Sequence, residues 1–402
     1  VIPPQPTGTA DSPTDRPRTE PGAPAERPTG VNRRVRWWAD GWMWFAAVVV
    51  TAGRWLEAAD RHAFHVAPDE PGQLAMARWM SGGTRWNMFD HLTWRPGYAV
   101  IVTPLAWLFD GGTALVRAAL TLNAVLAGLS AVVLVLLLRG WTDLGPRGRA
   151  GVAAVTALAP AAISASAYTW AEALITLTFL ATLLAIQQLI DRAHPATAIT
   201  AVVVAAFAMT VHGRSLPMLP VTAGICAVLL IRRGRWRAAS ATVGLAAVLG
   251  VASLRFTEWV VSSVWDDPSD ANTADTIIER LDAPVALLDS LAGQSWYQLV
   301  ASLGMVGIGT AVVLAAFVRP QARFGRWHAA TLVALTAPLV FASVTFMSDR
   351  TRSDQLVYGR YVDAIVWPIT ALGLAWTVRR LRPTADLGRS VIPIVVGVVT
   401  VG

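Results

Sequence analysis

Ala67-Pro68-Asp69-Glu70-Pro71 follows the first strongly apolar run of the chain, and its placement decides how everything after it is read. Two adjacent carboxylates at the mouth of an apolar segment are costly to desolvate, so acids held there are usually paired or functional. Upstream lies the run 38–58, preceded by Arg33, Arg34 and Arg36. Downstream lies a long polar segment, 59–95, then a short apolar run, Pro96–Phe109. The break Asp110-Gly111-Gly112 leads into a long apolar run, 113–138. If 96–109 crosses a membrane, the loops on either side of it face opposite compartments; if it does not, they share one.

The composition supplies the membrane. Of 402 residues, 54% are hydrophobic and 15% charged, with mean hydropathy +0.49. A soluble domain carries about 25% charged residues, so the soluble globular class is excluded. All 33 basic residues are Arg, which with abundant Ala, Val, Gly and Pro fits a GC-rich bacterial genome. The net charge of +7 is no nucleic-acid signature, because the Arg residues sit in short groups between apolar runs. The 18 Trp residues gather near run ends, as in the aromatic belt of a bilayer interface. The lone Cys226 leaves no internal disulfide and no Cys-based metal site.

Charge parity settles the crossing. With 96–109 held at one interface, or dipping in without crossing, the Arg-bearing loops 139–149, 232–237, 319–326 and 379–389 all fall on the side of the N-terminus. The acidic loop 256–295 then falls opposite. A crossing 96–109 would invert every one of these assignments against the positive-inside rule, and the run is short for a span of about 20 residues. The reading is an all-α, polytopic bundle of about eleven spans: 38–58, 113–138, 150–166, 168–190, 198–212, 215–231, 238–254, 296–318, 328–347, 362–378 and 390 onward. It has juxtamembrane helices in the first external loop and a multi-pass cell-membrane location with a cytoplasmic N-terminus. Residues 1–32 lack large apolar side chains and read as a disordered tail; 33–402 form the bundle, with external loops 59–95, 256–295 and 348–361. Apolar residues at helical spacing predict an amphipathic helix over 274–290. The last run, Val391–Gly402, is too short to span, so the natural chain is expected to continue.

This arrangement resembles the GT-C glycosyltransferases, especially the polyprenyl-phosphate-sugar-dependent branch of protein mannosyltransferases and aminoarabinose transferases. The residues that carry the likeness are Pro68-Asp69-Glu70, Arg95-Pro96-Gly97-Tyr98, Phe109-Asp110-Gly111-Gly112 with Arg117, and Gly359-Arg360-Tyr361. The family often has Lys-Pro-Pro-Leu where this chain has Arg95-Pro96-Gly97-Tyr98, and some members add a large soluble C-terminal domain. The resemblance implies an inverting hexosyl or pentosyl transferase. It would move sugar from a polyprenyl-phosphate donor to a cell-envelope glycan, lipid or protein acceptor at the external face. The alternative from another class is a polytopic lipid or solute transporter, or a non-catalytic protein of the same fold.

Such a transfer breaks the anomeric C–O bond to phosphate, and it needs a base for the acceptor proton and cations for the leaving phosphate. Asp69 or Glu70 is expected as the catalytic carboxylate, Asp69 first; the plainer reading is a solvated pair capping a helix. Arg360, flanked by Tyr358 and Tyr361, is the expected phosphate ligand; the plainer reading is an interfacial anchor. Arg95, His212, Arg214 and Glu172 are further candidates for the substrate position. Glu172 equally fits a pair with an Arg, and His212 with Arg214 fits an ordinary polar turn. Arg117 reads as a structural partner. Asp90 and His91 lack metal-ligand spacing, so no metal or other cofactor is predicted, although acids in 256–295 are of the kind that hold a divalent cation weakly.

Overall fold

The computed structural model describes residues 40–64, 69–85, 94–164, 167–265, 279–348 and 359–381; the side chains of Ala161, Ser164 and Arg360 are not described. Among the described residues all regular structure is helical. Helix α1 (Gly41–Glu57) is followed by α2 (Asp69–Met80) and α3 (Gly97–Leu108) within the polar first loop, then by α4 (Gly112–Trp141). The bundle continues with α5 (Pro146–Ala157), the short α6 (Pro160–Ser164), α7 (Glu172–Arg192), α8 (Pro195–Val211), a 3-10 turn at Gly213–Ser215, α9 (Met218–Ile231) and α10 (Trp236–Val264). After the acidic loop come α11 (Pro284–Ala301), α12 (Met305–Val318), α13 (Arg326–Met347) and α14 (Arg360–Arg380).

Six of these helices are long and apolar enough to cross a bilayer, or seven if α11 and α12 count as one bent span. Eleven is therefore not reached among the described residues, and the run from 390 lies outside them. Two expected spans are broken. The run 296–318 holds two helices bent by 108°, because Leu303 and Gly304 sit at φ 50° and 77°. The run 150–166 stops at Ala157, and Pro160, which cannot donate to the preceding turn, opens α6. Of the expected amphipathic helix over 274–290, residues 274–278 lie outside the described residues; the chain is helical at 279–281, breaks at Asp282-Ala283, and becomes helical again in α11 from Pro284. Helix α11 turns Ser290, Gln294 and Gln298 inward at i, i+4 and i+8, and leaves Leu288, Trp296 and Val300 exposed. That inverted pattern suits a helix with lipid outside and polar partners inside.

The two ends of the bundle differ in chemistry. At one end, Asp40 before α1 lies 4.0 Å from Arg149, and Arg147 stacks on Trp42. Arg323 and Arg379 both reach Asp143, Arg232 stacks on Trp327, and Arg233 donates to the Ile190 carbonyl. The Arg loops 139–149, 232–237 and 319–326, the end of α14 and the start of α1 thus share one end, as charge parity expects. At the other end, Arg117 donates to the Ala59 carbonyl just past α1.

Helix α3, with 12 residues, is shorter than a bilayer span needs. Its start is held by Tyr98 Oη–H donating to Asn123 Oδ1 in α4 (3.0 Å). Its end is held by Arg78 of α2, which donates to the carbonyls of Phe109 and Asp110. Helix α4 has 30 residues, about 45 Å at 1.5 Å each, against a hydrocarbon core of about 30 Å. Counting about 30 Å back from Arg139 places the far boundary near residue 119. Helix α7, with 21 residues, spans from Arg192 back to Glu172 on the same measure. Asn123, Tyr98 and the segment before Glu172 are in contact and lie toward the same end of the bundle.

Candidate functional site

Helix α2 begins at the two carboxylates, where the helix dipole favours negative charge. They take different roles because neighbours on a helix point about 100° apart. Glu70 is 2% exposed. It accepts hydrogen bonds from the Thr169 backbone N–H (2.9 Å) and the Thr169 Oγ1–H (3.2 Å), pinning α2 to the segment that precedes α7. Asp69 stays half-buried at the helix mouth. One turn further on, Gln73 is buried, and its Oε1 meets no donor among the described residues.

Three residues past Thr169, Glu172 opens α7, fully buried. Its partner is Arg214 of the 3-10 turn, at 3.5 Å, with 4% and 1% of the two side chains exposed. The guanidinium of Arg214 lies 4.7 Å over the ring of Tyr361 in the first turn of α14. His212 meets the same ring edge-on, and its Nδ1 accepts from the Arg214 backbone N–H. Arg95 donates to the Met209 carbonyl at the end of α8 (3.1 Å). Arg214 is therefore no solvated turn residue. The turn is drawn into the bundle because Glu172 and Tyr361 supply the charge and the π face that a buried guanidinium needs.

The structure thus brings together Glu172, Arg214, His212, Tyr361 and Arg95, and joins Glu70 to them through the 167–171 segment. Tyr358 lies outside the described residues, and of Arg360 only the helical backbone is described. Arg117, as expected, serves structure, binding Ala59 and His62. Among the described residues no three of His, Cys, Asp or Glu gather as metal ligands.

Several members of the site were not among the candidates, Tyr98 having counted only as part of the Arg95-Pro96-Gly97-Tyr98 stretch. Tyr98 lies within electrostatic reach of both Glu70 and Glu172, and Asn123 passes its contact on to the carbonyls of Tyr168 and Trp170. Asp363, 3% exposed on α14, receives hydrogen bonds from Gln298 and Tyr297 of α11 and lies within the fields of Arg214 and Glu172. Close backbone approach seats these parts. A Cβ on Gly97 would lie 2.5 Å from Thr210 Oγ1, so glycine lets α3 press against α8. Trp94 covers Gly72 and meets Trp265 at the end of α10.

No family model and no curated protein matches the chain. Solved structures do. The aminoarabinose transferase ArnT from Cupriavidus metallidurans, bound to undecaprenyl phosphate, superposes with TM-score 0.54 at 18% identity, over 89% of this chain and 63% of that one. Its apo form gives 0.54 at 16%, over 86% and 61%. The oligosaccharyltransferase AglB from Archaeoglobus fulgidus, in complex with an inhibitory peptide and a dolichol-phosphate, gives 0.52 at 11%, over 90% and 54%. This chain spans roughly half to three-fifths of the length of these structures. Its fold is the membrane-helix fold that these ArnT and AglB structures share.

Proposed function

We propose that this chain forms the membrane bundle of an inverting glycosyltransferase that uses a polyprenyl-phosphate sugar at the end of the bundle holding α2. The observation that carries the reading is convergence. A half-buried carboxylate, Asp69, stands at the mouth of a helix that Glu70 pins to the segment leading into Glu172, and Glu172 holds the buried Arg214 against half-buried Tyr361, with Arg95 on the same side of the bundle. A lipid carrier presents its phosphate at the bilayer boundary, with the isoprenoid tail in the membrane. The ArnT and AglB structures were solved with such carriers, undecaprenyl phosphate and dolichol-phosphate.

In the proposed reaction an acceptor hydroxyl or amide attacks the anomeric carbon from the face opposite the phosphate. The acceptor–carbon bond forms as the carbon–oxygen bond to phosphate breaks. The phosphate leaves with the bonding pair, the acceptor proton passes to the Asp69 carboxylate, and the anomeric configuration inverts. Arg360 and Arg95 supply guanidinium groups for the developing charge. Glu70 positions α2, and Glu172 and Tyr361 hold Arg214 beside the site. The basic end faces the cytoplasm and the site end the exterior, as the positive-inside rule requires.

The broken span α11–α12 is the one feature that favours a transporter, since transporters bind substrate at discontinuous helices. Its break, Ser302-Leu303-Gly304, carries no charge, whereas the charged groups gather at the bundle's end. The reading is tested by reconstituting the full chain with polyprenyl-phosphate sugars and envelope acceptors. Transfer should release polyprenyl phosphate in step with glycosylated acceptor. Movement of lipid or solute across the bilayer without release of carrier would overturn it.

A further inference from the structure

At the opposite end of the bundle, a water-accessible cavity of about 390 Å³ is lined by Trp141, Asp143, Arg323, Trp376, Arg379 and Arg380, among others. We propose that it binds a phosphodiester anion, and specifically the headgroup of an anionic phospholipid of that leaflet. The proposal stands on this cavity alone and is independent of the transferase reading.

Three guanidiniums face one carboxylate, so these lining residues carry a charge of +2 (3 − 1). Asp143 does not neutralise the cavity; it positions it. It holds Arg323 at 2.7 Å and Arg379 at 3.6 Å, all three side chains half-exposed, so both guanidiniums keep further N–H groups for a ligand. Arg380 is laid over the Trp376 ring at 5.2 Å, which orders a side chain that would otherwise be mobile. The fork of a guanidinium matches two phosphate oxygens.

Trp141 adds an independent observation. It is 3% exposed, packed at 5.4 Å against Phe324, and its indole N–H is buried with no acceptor among the described residues. A buried donor without an acceptor loses about 1–3 kcal/mol of hydration. That N–H is closed over in the present geometry, and a small rotation of the ring would bring it to an anion oxygen in the cavity that Trp141 lines. The chemistry of phosphate is shared by soluble ions and by lipids. The location favours the lipid: Trp141 and Arg139 mark the bilayer boundary, Trp376 is 39% exposed, and basic pockets between spans at this level suit anionic headgroups. A volume of about 390 Å³ is also ample for a glycerophosphate group.

The test uses the full chain, delipidated in neutral detergent, with thermal unfolding followed as lipid is titrated in mixed micelles. Phosphatidylglycerol should raise the midpoint saturably, and phosphatidylcholine should not. R323Q/R379Q/R380Q should weaken the apparent affinity for phosphatidylglycerol at least tenfold. Trp141→Phe keeps the ring against Phe324, so it should unfold like wild type without lipid and bind several-fold more weakly. Equal protection by both lipids, or an unchanged phosphatidylglycerol response in Trp141→Phe and the triple variant, would overturn the site. If the triple variant does not fold, the lipid comparison and Trp141→Phe decide. Protection by inorganic phosphate or glycerol 3-phosphate, with none from phosphatidylglycerol, would overturn the lipid assignment and leave the cavity a soluble-anion site.

Discussion

Replacing Arg214 by Met removes the cation from a cluster that also holds Glu172 and Asp363. At 3.5 Å and an effective dielectric constant of about 20, the Glu172–Arg214 attraction is about 5 kcal/mol before desolvation is counted. Truncating one partner of such a pair typically costs about 3–5 kcal/mol, because the other charge stays buried and uncompensated. Glu172 is fully buried, so Arg214→Met should fall in that range. At about 2 °C per kcal/mol for a large chain, the midpoint of unfolding should drop by about 6–10 °C. Glu172→Leu should cost less, since Arg214 keeps the field of Asp363 and the Tyr361 ring. Removing both charges, in R214M/E172L, should recover most of the loss and unfold within about 1–2 kcal/mol of wild type. The assay is thermal unfolding of the purified chain in one detergent, followed by loss of the monodisperse peak, with the four proteins forming a double-mutant cycle. Additive costs, or an Arg214→Met midpoint within about 2 °C of wild type, would refute the assignment of the pair as a buried, mutually dependent unit. The recovered double variant should still bind donor phosphate poorly, which separates the structural from the functional share of Arg214.

Other expectations follow from single contacts. Gly309→Ala would place a Cβ 1.8 Å from the Ile369 carbonyl oxygen, so α12 and α14 must separate and the unfolding midpoint should fall by several degrees; an unchanged midpoint would contradict the close crossing of these helices. In a Cys226→Ser background, single cysteines at Asp90 and Ser269 should react with an impermeant external reagent and those at Arg147 and Arg235 should not; external labelling at Arg147 would invert the orientation. Arg360→Lys keeps the charge and loses the planar fork, so the protein should insert normally while donor turnover falls about tenfold; wild-type turnover would remove Arg360 from the phosphate site.

How much of this was legible depends on what a hydropathy pattern can see. The arrangement of the bundle's ends was, because every Arg loop lies between long apolar runs and alternation leaves few choices. The shortness of α3 was legible in the length of the run 96–109 itself. The break between α11 and α12 was not: Leu303 is apolar and continues the run, and only its backbone dihedral, with that of Gly304, turns the chain. Asp69 and Glu70 stood out because charge is rare near such runs. Their division of labour did not, since it depends on Thr169, an unremarkable residue 99 positions away from Glu70. Arg214 was visible as a charge, but its burial required Tyr361 and Glu172 to arrive from two other helices. Asp363 was hidden because it sits among apolar residues in α14, and its partners Tyr297 and Gln298 lie on a helix whose polar face points inward.

The most direct test of the account is the transfer rate of Asp69→Asn beside Glu70→Gln, measured in the reconstituted full chain with saturating polyprenyl-phosphate sugar. Asn keeps the size of the side chain at the mouth of α2 and removes its basicity, so donor binding should persist while transfer falls by about 100-fold or more. Glu70→Gln keeps an acceptor for Thr169 and should lower stability by about 1–2 kcal/mol with a milder effect on rate. Normal transfer by Asp69→Asn, with the loss appearing in Glu70→Gln instead, would contradict the assignment of the base.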